Sequence, residues 1–176
     1  STSHQSLDMG DMGTLSFDGK GGGLVGLTAN DDVLPTAYEE MWTGVGSGDG
    51  IGGVGSTNVI GYKNTFSGVT VSAGYSNGIG ATTTAESGAS GAGADGSKRD
   101  LYISSSVVDG ITVGAGIGQS TAGNNNTTDA DTEELVAHVV YSSGPISAGL
   151  RMGATDGGAE GTASTEIMGY SVAFNV

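Results

Sequence analysis

Cysteine is absent from the chain, which excludes a disulfide scaffold and any thiolate metal site. Basic residues are scarce: five, against 19 acidic ones, for a formal charge of −14. So acidic a chain has little to offer a phosphate backbone, and nucleic acid is excluded as the main partner. No apolar run approaches the ~18 residues of a membrane-spanning helix. Proline occurs twice and aromatic residues make up 6%. Glycine, by contrast, takes 35 of 176 positions, far above the usual ~7%. Each glycine inside a helix costs about 1 kcal/mol relative to alanine, so a helical protein is excluded as well. No collagen triplet runs through the glycines, and the length suits one domain.

Alternation is the pattern that is present. Val69-Thr70-Val71-Ser72-Ala73-Gly74-Tyr75-Ser76 places apolar residues on odd positions and small polar ones on even positions. Ile111–Gly118 and Ile146–Gly153 repeat it. A period of two means strands with one apolar and one small, polar face. Each of these strands follows a tight turn, at Phe66-Ser67-Gly68, Val108-Asp109-Gly110 and Ser143-Gly144-Pro145. Before the turns lie partner strands at Thr57–Thr65, Arg99–Val107 and Glu133–Ser142, so each turn closes a hairpin. The turn glycines recur at intervals of roughly 34–42 residues, making the hairpin an approximate repeat. The other connections, Asn77–Ser97, Ser120–Thr132 and Thr155–Ser164, are long and polar. Short turns at one end and long loops at the other describe an all-β, antiparallel up-and-down meander, the pattern of transmembrane β-barrels.

About eight strands are counted, the first over Met12–Asp18. The small face carries Thr70, Ser72, Gly74, Ser76, Thr112, Gly114, Gly116, Ser147 and Gly149, with Arg151 among them. Ordinary side chains just fill an eight-stranded barrel, whereas glycine and serine would leave it hollow. The expectation is therefore a single segment, 1–176, making up roughly half of a larger transmembrane barrel. Ser1 in place of an initiator Met agrees with a removed leader or a partial chain. Tyr62, Phe66, Tyr75, Tyr102, Tyr141, Tyr170 and Phe174, on strands or near their ends, read as interfacial girdle residues. Residues 19–57 lack sustained alternation and form a connection far beyond the usual ~4–6 residues.

Several runs then resemble the general porins of Gram-negative outer membranes. Leu7-Asp8-Met9-Gly10-Asp11-Met12-Gly13-Thr14-Leu15-Ser16-Phe17 is similar to the strand that leads into their constriction loop. Asp31-Asp32-Val33-Leu34-Pro35-Thr36-Ala37-Tyr38-Glu39-Glu40-Met41-Trp42 resembles that loop in the alphaproteobacterial type. Asn58–Lys63 with Phe66–Tyr75 is similar to a porin hairpin. The likeness departs from the family in lacking a first strand with basic lumen residues and in ending on Val176 rather than an aromatic residue.

The resemblance implies a passive channel for ions and small hydrophilic solutes in a bacterial outer membrane, embedded in lipid and assembled as a homotrimer. Residues 19–57 then fold into the pore. Asp31, Asp32, Glu39 and Glu40 become its carboxylates, facing Arg151 and, less securely, Lys63 and Arg99 on the wall. Opposite charges across a narrow aqueous opening bias which ions enter, and low-dielectric walls focus that field.

Enzyme signals are poor. Gly74-Tyr75-Ser76-Asn77-Gly78 fits a hydrolase pattern but sits on a strand end. Gly50-x-Gly52-x-x-Gly55 lacks a βαβ context. His4 and His138 have no ligand-like spacing and receive no role. No enzyme activity and no cofactor are expected. Loosely bound calcium on the loop acids Asp49, Glu86, Asp95, Asp129, Asp131, Asp156 and Glu160 is the weaker option. The alternative is a secreted, acidic, Gly-rich calcium-binding adhesin or surface-layer protein, of which Gly46-Ser47-Gly48-Asp49-Gly50 is a single imperfect echo.

Overall fold

The structure, a computed structural model, describes residues 3–20, 33–35, 58–77, 97–121, 131–156 and 164–174. Nine strands form one sheet: β1 (Ser3–Asp8), β2 (Thr14–Lys20), β3 (Val59–Phe66), β4 (Val69–Asn77), β5 (Ser97–Val108), β6 (Ile111–Thr121), β7 (Thr132–Ser143), β8 (Ile146–Asp156) and β9 (Thr165–Phe174). Every strand pairs antiparallel with its sequence neighbours, in the order β1 to β9. Among the described residues β1 and β9 do not meet, so this barrel-like meander is open. The strand count exceeds the expected eight by β1, which alternation did not reveal. β2 also begins at Thr14 rather than Met12, because Gly10–Met12 form a 3₁₀ turn.

The short turns obey the twist of the strands they join. Ser67 and Gly68 both take positive φ, 53° and 79°, the type I′ geometry that matches right-handed strand twist. Gly144 takes φ 56° ahead of Pro145, as a type II′ turn requires of its first central residue. A hydroxyl pair bridges the strands beside each turn: Thr65–Thr70 at 2.8 Å, Ser106–Thr112 at 3.1 Å and Ser142–Ser147 at 2.9 Å. At the other hairpin, the Tyr62 hydroxyl donates to the Met12 carbonyl at 2.9 Å and holds the β1–β2 turn against β3.

Burial runs opposite to hydrophobicity. The buried side chains are mostly polar or charged: Asp18, Ser72, Ser76, Asp100, His138 and Arg151. Apolar burial among the described residues is confined to Leu34, Val59 and Val136. Leu, Ile, Val, Phe, Tyr and Met side chains stand exposed along the other face. The face carrying the buried residues is here called inner, and the opposite face outer.

Candidate functional site

The register aligns the inner face into rows. One row runs Lys63, Ser72, Tyr102, Gly116, Val136, Gly153 across β3 to β8. The next runs Thr70, Ser104, Gly114, His138, Arg151, Gly169 across β4 to β9. A third runs Thr112, Val140, Gly149, Ser171 across β6 to β9. Large side chains thus alternate with glycines, and the glycines are where the large ones lie.

Tyr102 and His138 show why. They stand on β5 and β7, two strand spacings or about 9–10 Å apart. Their rings nevertheless stack, with centroids 6.2 Å apart and an interplanar angle of 24°. They meet above β6, where Gly114, Gly116 and Gly118 supply no side chains. A Cβ on Gly114 would collide with His138 Cε1 and the Tyr102 hydroxyl. Arg151 sits beside His138 in the ladder, buried on the same face. Buried Asp100 lies on β5 one inner row from Tyr102, and His4 donates through Nδ1 to the buried Asp18 carboxylate across β1 and β2.

A tripeptide from the β2–β3 connection is seated on this face. Leu34 is 7% exposed. A Cβ on Gly149 would lie 2.7 Å from both Leu34 Cδ2 and Pro35 Cδ. The Ser171 hydroxyl donates to the Pro35 carbonyl at 2.6 Å. In sequence the tripeptide lies between β2 and β3; in space it rests on β8 and β9. Residues 33–35 of the connection thus lie against the far strands of the inner face.

Of the wall cations read from the sequence, Arg151 is buried on the inner face, and Lys63 is exposed on it, level with Tyr102. Arg99 is a correction: it belongs to the outer face. Its strand alternates, and with Leu101 and Ile103 outward Arg99 is outward too. There its Nε donates to Gln119 Oε1 at 2.7 Å, and Gln119 Nε2 donates to Glu133 Oε1 at 2.5 Å. Asp31, Asp32, Glu39 and Glu40 lie outside the described residues, although the seated tripeptide falls between the two acidic pairs in sequence. The loop acids Asp49, Glu86, Asp95, Asp129 and Glu160 and the glycines 50–55 lie outside them too. Tyr102 is a second correction, because it faces inward while the other six proposed girdle aromatics face outward. Ser76 stands in regular strand register with Val59 and Lys98, not at a strand-to-helix turn.

The outer face carries an apolar band, interrupted on β3 by Asn64 and on β5 by Ser105. Four successive outward residues are apolar on β4 (Val69, Val71, Ala73, Tyr75), β6 (Ile111, Val113, Ala115, Ile117) and β7 (Leu135, Ala137, Val139, Tyr141). On β8 five are apolar (Ile146, Ala148, Leu150, Met152, Ala154) and on β9 four (Met168, Tyr170, Val172, Phe174). Polar residues cap the band at the long-loop end: Arg99, Gln119, Glu133 and Glu166. The band is oblique to the hydrogen-bond rows. Tyr75 tops it on β4 and is level with Arg99 and Gln119, above the band on β5 and β6. Met168 tops it on β9, two outward rows lower, level with Met152 and Ala137, while Ala154 tops it on β8 one row higher. The lower edge falls equally, from Val69 to Ile146 and Phe174.

The chain matches no family model, no curated protein and no solved structure. Among the described residues no helix is long and apolar enough to cross a membrane, which says nothing of crossing with strands. Among them, too, no cluster of three or more His, Asp or Glu is placed to hold a metal ion.

Proposed function

We propose that the chain is part of a porin-type β-barrel in a bacterial outer membrane, a passive channel for ions and small hydrophilic solutes. One observation carries the reading: an exposed apolar band running across the sheet, backed by a face of buried polar and small residues. Contiguous exposed apolar surface on this scale marks a membrane or a partner. A membrane also demands a level band, and the oblique course of this one supplies the angle. Four residues of drop over five strand spacings correspond to strands tilted about 30° from the band's normal. That is close to the ~35–45° of membrane barrels. Seven residues at this tilt give a band of about 20 Å, somewhat under the ~25 Å typical of outer-membrane barrels. A soluble sandwich would bury such a band against a second sheet.

On this reading the inner face lines an aqueous lumen, and the open edges of β1 and β9 call for the further strands of a barrel of about sixteen. The β2–β3 connection enters the lumen. Asp31, Asp32, Glu39 and Glu40 would bring negative charge to the opening, opposite Arg151 and Lys63. Charges so placed in a low-dielectric wall select by sign and field, not by chemistry. A homotrimer is the assembly that accompanies this reading.

The test is reconstitution of the full-length protein in planar bilayers. Step-like, ohmic conductance with cation preference is expected, and replacing the four acids by Asn and Gln should abolish the preference. A chain that stays dispersed in water without detergent and responds to calcium chelation would replace this reading with the adhesin one.

A further inference from the structure

The seat of Leu34 and Pro35 is built, not incidental. Its floor is Gly149, where even a methyl group would intrude on both residues at 2.7 Å. Its side is Val140, whose Cγ2 would lie 3.4 Å from that added Cβ. Its polar clamp is the Ser171 hydroxyl on the Pro35 carbonyl, a contact between positions 136 apart in sequence. Pro35 suits the clamp, since its ring pre-sets φ and lowers the entropy of holding the carbonyl still. Leu34 supplies one of the few apolar side chains buried on the inner face. Most other inner side chains are small or polar, so this is a local apolar hold. It stands one inner row from Arg151, on the same two strands.

We infer that Gly149 and Ser171 are positioning residues: they pin the β2–β3 connection to the wall formed by β8 and β9, and so fix how much of the bore that connection occupies. The inference rests on the channel reading only for its consequence, the bore; the seat itself is a contact within the chain. Conductance of a short aqueous constriction follows its open cross-section, so a pinned connection gives one steady level and an unpinned one gives a different, noisier level.

The chain holds no cysteine of its own, so cysteine pairs introduced into it within the full-length protein give a direct test. Leu34→Cys with Gly149→Cys should cross-link under mild oxidation. Leu34→Cys with Leu150→Cys, which points to the outer face, should not. If Gly149→Cys prevents folding, Pro35→Cys with Ser171→Cys asks the same question at the clamp. Failure of both inner pairs, or linkage equal to the outer control, overturns the seat.

The consequence is read in bilayers. Gly149→Leu should change the single-channel level and raise open-channel noise while the heat-resistance of the folded band on gels is kept. Ser171→Ala should do so less. Inner pairs that link, with Gly149→Leu channels identical to the parent, overturn the positioning role. Cross-linking in a protein that never conducts would refute the channel while leaving the seat standing. Conductance without cross-linking would do the reverse.

Discussion

Val136 and Val139 lie three residues apart on one strand, yet the first is 2% exposed and the second 40%. The same division runs through the whole sheet. On the inner face Asp18 and Ser72 are as buried as any core residue, at 0% and 2%. On the outer face Tyr170 and Val172 are left 80% and 74% exposed. Side-chain chemistry therefore does not decide burial here; the face does. An exposed apolar row of this length calls for a cover, which on the proposed reading is lipid. The inner face, by contrast, follows a steric rule from β5 to β9: Tyr102, Val136, Val140 and Arg151 each stand beside a glycine on the next strand.

The strongest way to break that contrast is to place a charge in each face. On the membrane reading, Val139→Arg, in the middle of the band, should cost about 2–4 kcal/mol of stability in lipid bilayers. Glu133→Arg, at the band's upper edge, should cost about 0–1 kcal/mol. Unfolding by guanidinium in vesicles measures both. A protein for which Val139→Arg is neutral, or merely more soluble, does not present this face to hydrocarbon.

Packing gives the next largest effect, now on the inner face. Gly114→Leu drives a side chain into the stacked Tyr102 and His138 rings and should destabilise by about 1–3 kcal/mol, the usual cost of overpacking. Val113→Leu, one residue away and outward, should stay within about 0.5 kcal/mol. Equal effects at the two positions would mean that the rings do not rest on the glycine.

Turn strain separates from packing at Gly144. Nothing lies within 4 Å of a Cβ placed there, so space is free, while φ is 56°. Gly144→Ala should therefore cost only the conformational penalty of a left-handed residue, about 1–2 kcal/mol. The denaturant slope should not change, because no surface is newly exposed.

These contrasts also explain what could be read from the sequence. β4, β6 and β8 announce themselves because their two faces differ in residue type, and their turns carry glycine where φ must be positive. β1 stays silent: His4, Gln5 and Ser6 show no apolar alternation, and the strand exists because β2 offers it a pairing edge. β7 blurs the signal, because Val136 and Val140 line the inner face while Val139 lines the outer one. His138 has no ligand-like spacing in the sequence, although counting from Leu135 and Ala137 assigns it to Arg151's face. The same count from Leu101 sends Arg99 outward. Neither the seating of Leu34 on Gly149 nor the overlap of Tyr102 with His138 has any local trace, since both join residues from separate strands and connections across the sheet.

The smallest effect probes the band's polar margin. Arg99, Gln119 and Glu133 form a hydrogen-bonded ladder over β5, β6 and β7. All three are on the outer face, where long polar side chains can remain in headgroups while their stems cover apolar surface. Gln119 is the middle member, donating to one neighbour and accepting from the other, so Gln119→Leu breaks both links at once. Exposed cross-strand pairs contribute about 0.2–1 kcal/mol each. Extending the apolar run on β6 by one residue offsets part of that loss in lipid but none of it in water. The variant should therefore lose about 1 kcal/mol or less in bilayers and measurably more in a non-lipid solvent that refolds the protein. If the loss is larger in lipid than out of it, the ladder lies within the hydrocarbon, and the upper edge of the band must be moved toward the long loops.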